Sequence, residues 1–224
     1  MDMRFIFSLV LVLLGVSAAN ALPADSVPSQ DQHPKQLIFT GGPMVGGNLS
    51  NLTHSHFSDC SSSMRVGFYA GGVVRLSVLP QLSIEGDLSF QYRQAEFSLY
   101  QTSGKYDQWC TEVAFYAIYH LTLKNHSRIN FGIGPYTDFG LRATYRYNGK
   151  KYNLYSRDLQ DEMPMMATSE TGLSAKIGYE LRNGLEVSAS YRISVSNLTE
   201  ANNKGVGIRP QTVSLGVAWF FGKD

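Results

Sequence analysis

Leu82-Ser83-Ile84-Glu85-Gly86-Asp87-Leu88-Ser89-Phe90-Gln91-Tyr92-Arg93 alternates between apolar and polar residues without a break. One parity reads Leu82, Ile84, Gly86, Leu88, Phe90, Tyr92, and the other Ser83, Glu85, Asp87, Ser89, Gln91, Arg93. A period of two marks a β-strand with one greasy face and one polar face. A soluble sandwich alternates too, but it buries the apolar face and its strands end as edges. Here the polar parity carries full charges, and the apolar parity carries none. That pattern suits a barrel turned inside out, with lipid outside and a polar interior.

Working outward, seven more stretches repeat the pattern: 37–48, 64–77, 110–122, 128–144, 170–181, 185–196 and 210–221, with the quoted strand running on to 99. The fold class is therefore all-β, an eight-stranded antiparallel up-and-down transmembrane barrel. Turns after the second, fourth and sixth strands are short, and Arg182-Asn183-Gly184 carries the Asn-Gly hairpin signal. The remaining connections, 49–63, 100–109, 145–169 and 197–209, read as longer loops. Outer-membrane barrels have short periplasmic turns and long external loops, so both termini are expected in the periplasm. Around Asn148-Gly149, alternating tyrosines with Arg146, Lys150 and Lys151 read as a hairpin rising from the rim; the alternative is two further wall strands, ten in all.

Upstream of the strands, Met1 to Ala21 has the parts of a secretory signal: Arg4, an apolar run from Phe5 to Val16, and small residues ending in Ala-x-Ala spacing. That run is too short to span a bilayer as a helix. Residues 22–36 are rich in proline, serine and aspartate and read as a flexible periplasmic tail, leaving 37–222 as the barrel domain. A formal charge of +1 gives no sign of a nucleic-acid partner.

The inward parity places Arg65, Arg75, Arg93, Arg142, Lys176 and Arg192 against Glu85, Asp87, Glu112, Asp138, Glu180 and Glu186, six bases against six acids. An eight-stranded barrel is only wide enough for side chains to fill it, so these charges are expected to form a paired, structural plug rather than an ion path. His54, His56, Asp59 and Cys60 share one external loop, but a His-x-His in a Ser/Asn-rich loop is ordinarily solvated, and no metal or cofactor is expected. Cys60 and Cys110 are the only cysteines; a disulfide between them and two unpaired thiols both stay open. His120 faces inward without a serine or acid beside it in sequence, so no catalytic residue and no enzyme activity are expected.

Several segments in order resemble the PorT-like outer-membrane β-barrel family of Gram-negative bacteria. They are Gly46-Gly47-Asn48-Leu49-Ser50-Asn51-Leu52, Gly67-Phe68-Tyr69-Ala70-Gly71, Leu82 to Leu88, Gly132-Ile133-Gly134-Pro135-Tyr136, and Gly178 to Leu185 ahead of Tyr191-Arg192. The chain departs from that pattern in having no proline after Glu112 and in continuing past Phe221 with Gly222-Lys223-Asp224. The resemblance implies an integral outer-membrane barrel. Its namesake is associated with protein secretion across that membrane. The reading is thus a barrel in outer-membrane lipid with a structural role, or binding an external ligand or envelope partner through its loops. An accessory part of a secretion machine and a lipid- or peptide-modifying rim enzyme are the alternatives.

Overall fold

In the computed structural model, the described residues are 38–55, 60–99, 102–155, 167–196 and 207–222. The signal and tail readings, His56 and Asp59 fall outside them. Among the described residues nine strands form: β1 Ile38–Ser55, β2 Cys60–Leu79, β3 Leu82–Leu99, β4 Thr102–Thr122, β5 Arg128–Tyr147, β6 Lys150–Asn153, β7 Ser169–Glu180, β8 Leu185–Ser194 and β9 Gly207–Trp219. Each wall strand pairs antiparallel with its chain neighbours, and β1 meets β9 to close the ring. β4 pairs with β5, and β5 in turn with β7. The wall is therefore a closed barrel of eight strands. The ninth, β6, pairs only with the upper end of β5, as a hairpin and not as wall. Asn148 and Gly149 at its tip both have positive φ (47° and 77°), the backbone of a type I′ turn.

Where expectation and structure differ, the strands are longer. β1 runs to Ser55 and β2 starts at Cys60, and Thr102 of β4 pairs with Leu99 of β3. Most of the two segments expected as loops, 49–63 and 100–109, is strand. The barrel's two ends differ less in loop length than in how far the strands overhang. A tilted membrane strand needs about 9–11 residues, whereas β1 to β5 have 18 to 21.

On the outside, thirty-four large apolar side chains among the described residues are exposed, Leu88 at 56% among them, which no water-facing surface tolerates as a continuous band. The band has two aromatic edges. Near the short turns, Trp219 stacks with Phe221. At the other edge Trp109 meets Tyr92 at 4.6 Å, Phe90 at 5.3 Å and Phe68 at 5.8 Å. We call these the turn end and the loop end. Beyond Tyr92 the outward residues of β3 turn polar, with Gln94 and Glu96, and beyond Trp109 those of β4 are Asp107 and Lys105.

Inside, the wall is brought close by glycine. Gly46 and Gly216 face each other across β1 and β9. A Cβ on Gly216 would fall 1.9 Å from the Tyr69 hydroxyl, so the pair of glycines is the seat of that ring.

Candidate functional site

The interior holds the chemistry. Seven carboxylates among the described residues are buried: Glu85, Asp87, Glu112, Asp138, Glu170, Glu180 and Glu186. Against them stand Arg75, Arg93 and Arg192, together with Lys176, whose side chain is 8% exposed. Two of the twelve expected interior charges are not there. Arg142 is exposed because β5 carries an extra residue at the step from Trp109 to Cys110, which flips its parity beyond Leu141. Arg65 sits in a second irregularity, between Met64 and Phe68, and is exposed at the loop end, bonded to Glu96. Glu170 was missed, although it shares the parity of Lys176 and Glu180. The balance is thus seven acids against four bases rather than six against six.

Near the turn end the network centres on Arg75. Its Nε donates to Glu85 at 2.7 Å, Nη1 to Glu180 at 2.7 Å and Nη2 to Glu186 at 2.8 Å. The guanidinium lies 4.0 Å over the Phe220 ring, which with Met44, Val73 and Ala218 seals this end. Lys176 donates to Glu85 at 2.6 Å and lies 3.5 Å from Asp87. Neutral donors take up part of the acid excess. Asn130 Nδ2 donates to both Glu180 (2.9 Å) and Glu186 (2.6 Å), which face each other across β7 and β8.

Toward the loop end a second network centres on Arg93. It donates to Asp138 at 2.6 Å and Glu112 at 3.0 Å, and lies 3.8 Å from Glu170. Arg192 shares Glu112, and the Tyr136 hydroxyl donates to Glu170 at 2.7 Å. Between the networks is a cavity of about 30 Å³ lined by Asp87, Gln91, Glu112, Lys176 and Arg192 among others. That is room for one or two waters. Above the second network, Leu154 and Tyr155 fold back from β6 over the mouth onto Ala95, Tyr106 and Ala143. Gln108 Nε2 donates to the Tyr155 hydroxyl at 2.8 Å.

Register brings together three residues that no sequence spacing joins. Ser83 Oγ is 2.7 Å from His120 Nε2, and His120 Nδ1 is 2.7 Å from Asn130 Oδ1. With Nδ1 donating to the amide oxygen, Nε2 accepts the serine proton, the order of nucleophile, base and orienting group. A hydrolase also needs room for a reacting carbonyl beside the nucleophile. Ser83 is 0% exposed and His120 1%, so the hydroxyl meets protein on every side. The chain continues through Asn130 into the acids around Arg75, which makes it one wall of that network.

The strand register sets the backbones of the two cysteines far apart. Cys60 lies opposite Leu99 and Cys110 reaches only Gln91, eight residues back along β3. At about 3.3 Å per residue that is roughly 26 Å, where a disulfide needs Cα atoms within about 7 Å. Cys110 is a buried free thiol. The candidate metal ligands His54, His56, Asp59 and Cys60 fall outside the residues whose side chains are described. Among the described residues, no cluster of three or more metal-ligating side chains occurs.

Solved structures with a similar course include the outer membrane protein OprG from Pseudomonas aeruginosa. It is 10% identical, with a TM-score of 0.49 over 84% of this chain and 96% of that one. Ail, the attachment invasion locus protein of Yersinia pestis, is 13% identical, with a TM-score of 0.43 over 81% of this chain and 98% of that one. No curated protein matches. Residues 28–200 match the family model described as outer membrane protein beta-barrel domain, and the chain belongs to that family.

Proposed function

We propose that this outer-membrane barrel is a closed, non-conducting, non-enzymatic scaffold that presents its loop end to the cell exterior for binding. One observation carries the reading: among the described residues, eleven charged side chains, all but fully buried, cross the lumen in two networks. Such groups are held by one another and leave no continuous water path. In this reading residues 1–21 are a secretory signal, 22–36 a periplasmic tail, and the overhanging hairpins with Asn148-Gly149 the exposed tip. Recognition is commonly carried by loops on a rigid scaffold. The test is conductance. Purified protein in planar bilayers is expected to give no steady channel, and reproducible large openings would show that the plug is not closed.

The PorT-like resemblance supports a narrower second reading, an accessory role in a secretion machine. Site-specific cross-linking from the Asn148 tip and from Lys124 at a turn, in intact cells, separates the two. A partner caught only from the turn favours the machine, and one caught only from the tip favours external binding. Among the described residues, the Ser83–His120–Asn130 chain is the feature that favours an enzyme. A fluorophosphonate probe is expected to leave Ser83 unlabelled in the folded barrel, and labelling would revive that reading.

A further inference from the structure

Just past the loop-end aromatic edge, the outer face of the barrel is basic along β4, β5 and β6. Lys105 of β4 is directly opposite Arg146 of β5, and Arg146 is directly opposite Lys151 of β6. Cross-strand partners share a face, so three cations stand in a row on adjacent strands, all exposed. Like charges opposed in a ladder weaken it unless an anion lies between them. Arg142 adds a fourth cation below the row, level with Trp109 and also exposed. Two acids are nearby and do not cancel the row. Glu96 is opposite Lys105 but is already bonded to Arg65, and Asp107 lies 3.5 Å from Arg146. Among the described residues Arg142 and Lys151 form no ion pair.

The height of this strip decides what it meets. Trp and Tyr belts mark the headgroup level. Arg142 stands at that level, and the row of three is four residues higher along the strand, about 13 Å before tilt is allowed for. Long basic side chains reach back along the surface to place their charge where it is best matched. At that depth the anions on offer to a lipid-facing surface are headgroup phosphates.

We infer that Lys105, Arg142, Arg146 and Lys151 form a docking strip for the phosphate groups of the lipid leaflet at the loop end. In the orientation proposed above, that is the phosphorylated glycolipid of the outer leaflet. Arg142 takes a phosphate at the aromatic edge, and the row above takes a second one or the far side of the same sugar headgroup.

The test uses the full barrel in phosphatidylcholine nanodiscs, offered bis-phosphorylated lipid A or its dephosphorylated form, with retained lipid counted by native mass spectrometry. The native chain is expected to retain the phosphorylated form over the dephosphorylated one. In the variant Arg142→Gln/Arg146→Gln/Lys151→Gln retention falls roughly fivefold for each charge removed. The swap Lys105→Arg/Lys151→Arg keeps retention, and heat-modifiable migration shows that each variant is folded. Equal retention by native chain and triple variant, or no preference for phosphate, overturns the strip. Nanodiscs offer lipid on both faces, so this outcome is independent of orientation. Orientation is read separately by an epitope inserted between Asn148 and Gly149 and stained on intact cells. An epitope hidden from outside, with binding preserved, overturns the orientation and leaves the phosphate strip standing.

Discussion

The same strands are built to opposite rules on the two sides of the Tyr92–Trp109 edge. Toward the turn end, apolar residues face out and charges face in. Leu88 is exposed, whereas Glu85, Glu180 and Glu186 are fully buried around Arg75. Toward the loop end the polarity reverses. Ala95, Tyr106, Ala143 and Leu154 make an apolar cluster inside, while Glu96, Lys105, Arg142 and Arg146 stand outside. The reversal follows the solvent. Where lipid surrounds the wall, there is nothing to gain by hiding apolar groups from it, and polar groups must find partners within. Where water returns, burying apolar surface is favourable again. The edge between the rules is where the chain leaves the membrane.

The comparison breaks most readily at Arg75. Arg75→Met strips the shared counter-charge from Glu85, Glu180 and Glu186 in a dry interior, and is expected to destabilise the barrel by about 3–5 kcal/mol, as for a broken buried ion pair. Arg93→Met should lose less. Arg93 donates to two carboxylates, Asp138 and Glu112, against three for Arg75, and Glu112 keeps Arg192. Urea unfolding in lipid measures both, and equal losses would mean that the number of carboxylates an arginine holds does not set what it contributes. The outer face comes next. Leu88→Arg near the middle of the band should cost about 2–4 kcal/mol. Gln94→Arg, on the same face of the same strand but beyond Tyr92, should cost almost nothing. Similar losses at the two sites would mean that the edge is misplaced.

How far each half can be read from sequence follows from the same contrast. Strict alternation from Leu82 to Arg93 gave every inward group of that stretch, because lipid enforces parity along the whole span. Past the edge that constraint relaxes and bulges are tolerated. One extra residue at Leu141 turned Arg142 outward, and an irregularity beside Arg65 did the same. Glu170 was readable, lying on the Lys176 parity, but it stands at a strand start where alternation is easily discounted. The meeting of Ser83, His120 and Asn130 was out of reach, because it depends on the register between β3, β4 and β5. Strand ends in 49–63 and 100–109 read as loops because these stretches are mostly polar in sequence, so the period of two loses its contrast there.

Leu154 tests the apolar interior of the overhang. It is 6% exposed and packs against Tyr106, Ala95 and Ala143. Leu154→Ala is expected to cost about 2 kcal/mol, the low end for a buried leucine. The loss should be local. Hydrogen exchange should rise in β6 and the upper part of β5, with β3 below Tyr92 unchanged. A uniform rise along β3 would mean that the two halves unfold as one and that the edge is not an energetic boundary.

The smallest expected effect is a pH response of the same cap. Burial pushes the Tyr155 phenol from its ordinary value of 10 up to about 12. The closed cap therefore favours the neutral phenol, whose hydroxyl lies beside Gly140 and accepts from Gln108. Below pH 10 the phenol is neutral in both closed and open states, and the closing preference is complete. As pH rises from about 10 toward 12, Tyr155 in an opened cap ionises while the capped one resists, so closure is progressively lost. Tyrosinate absorbance together with exchange at β6 should report this opening, with the barrel wall intact. Tyr155→Phe keeps the ring over the mouth and removes the titration, so protection at β6, taken relative to the base-catalysed intrinsic exchange rate, should become flat across that window. Gly140→Ala, whose Cβ would stand 1.9 Å from the Tyr155 hydroxyl, should displace the ring and give the open-cap exchange at every pH. If Tyr155→Phe kept the full pH response, the cap would be held by some other group and the phenol would be a bystander.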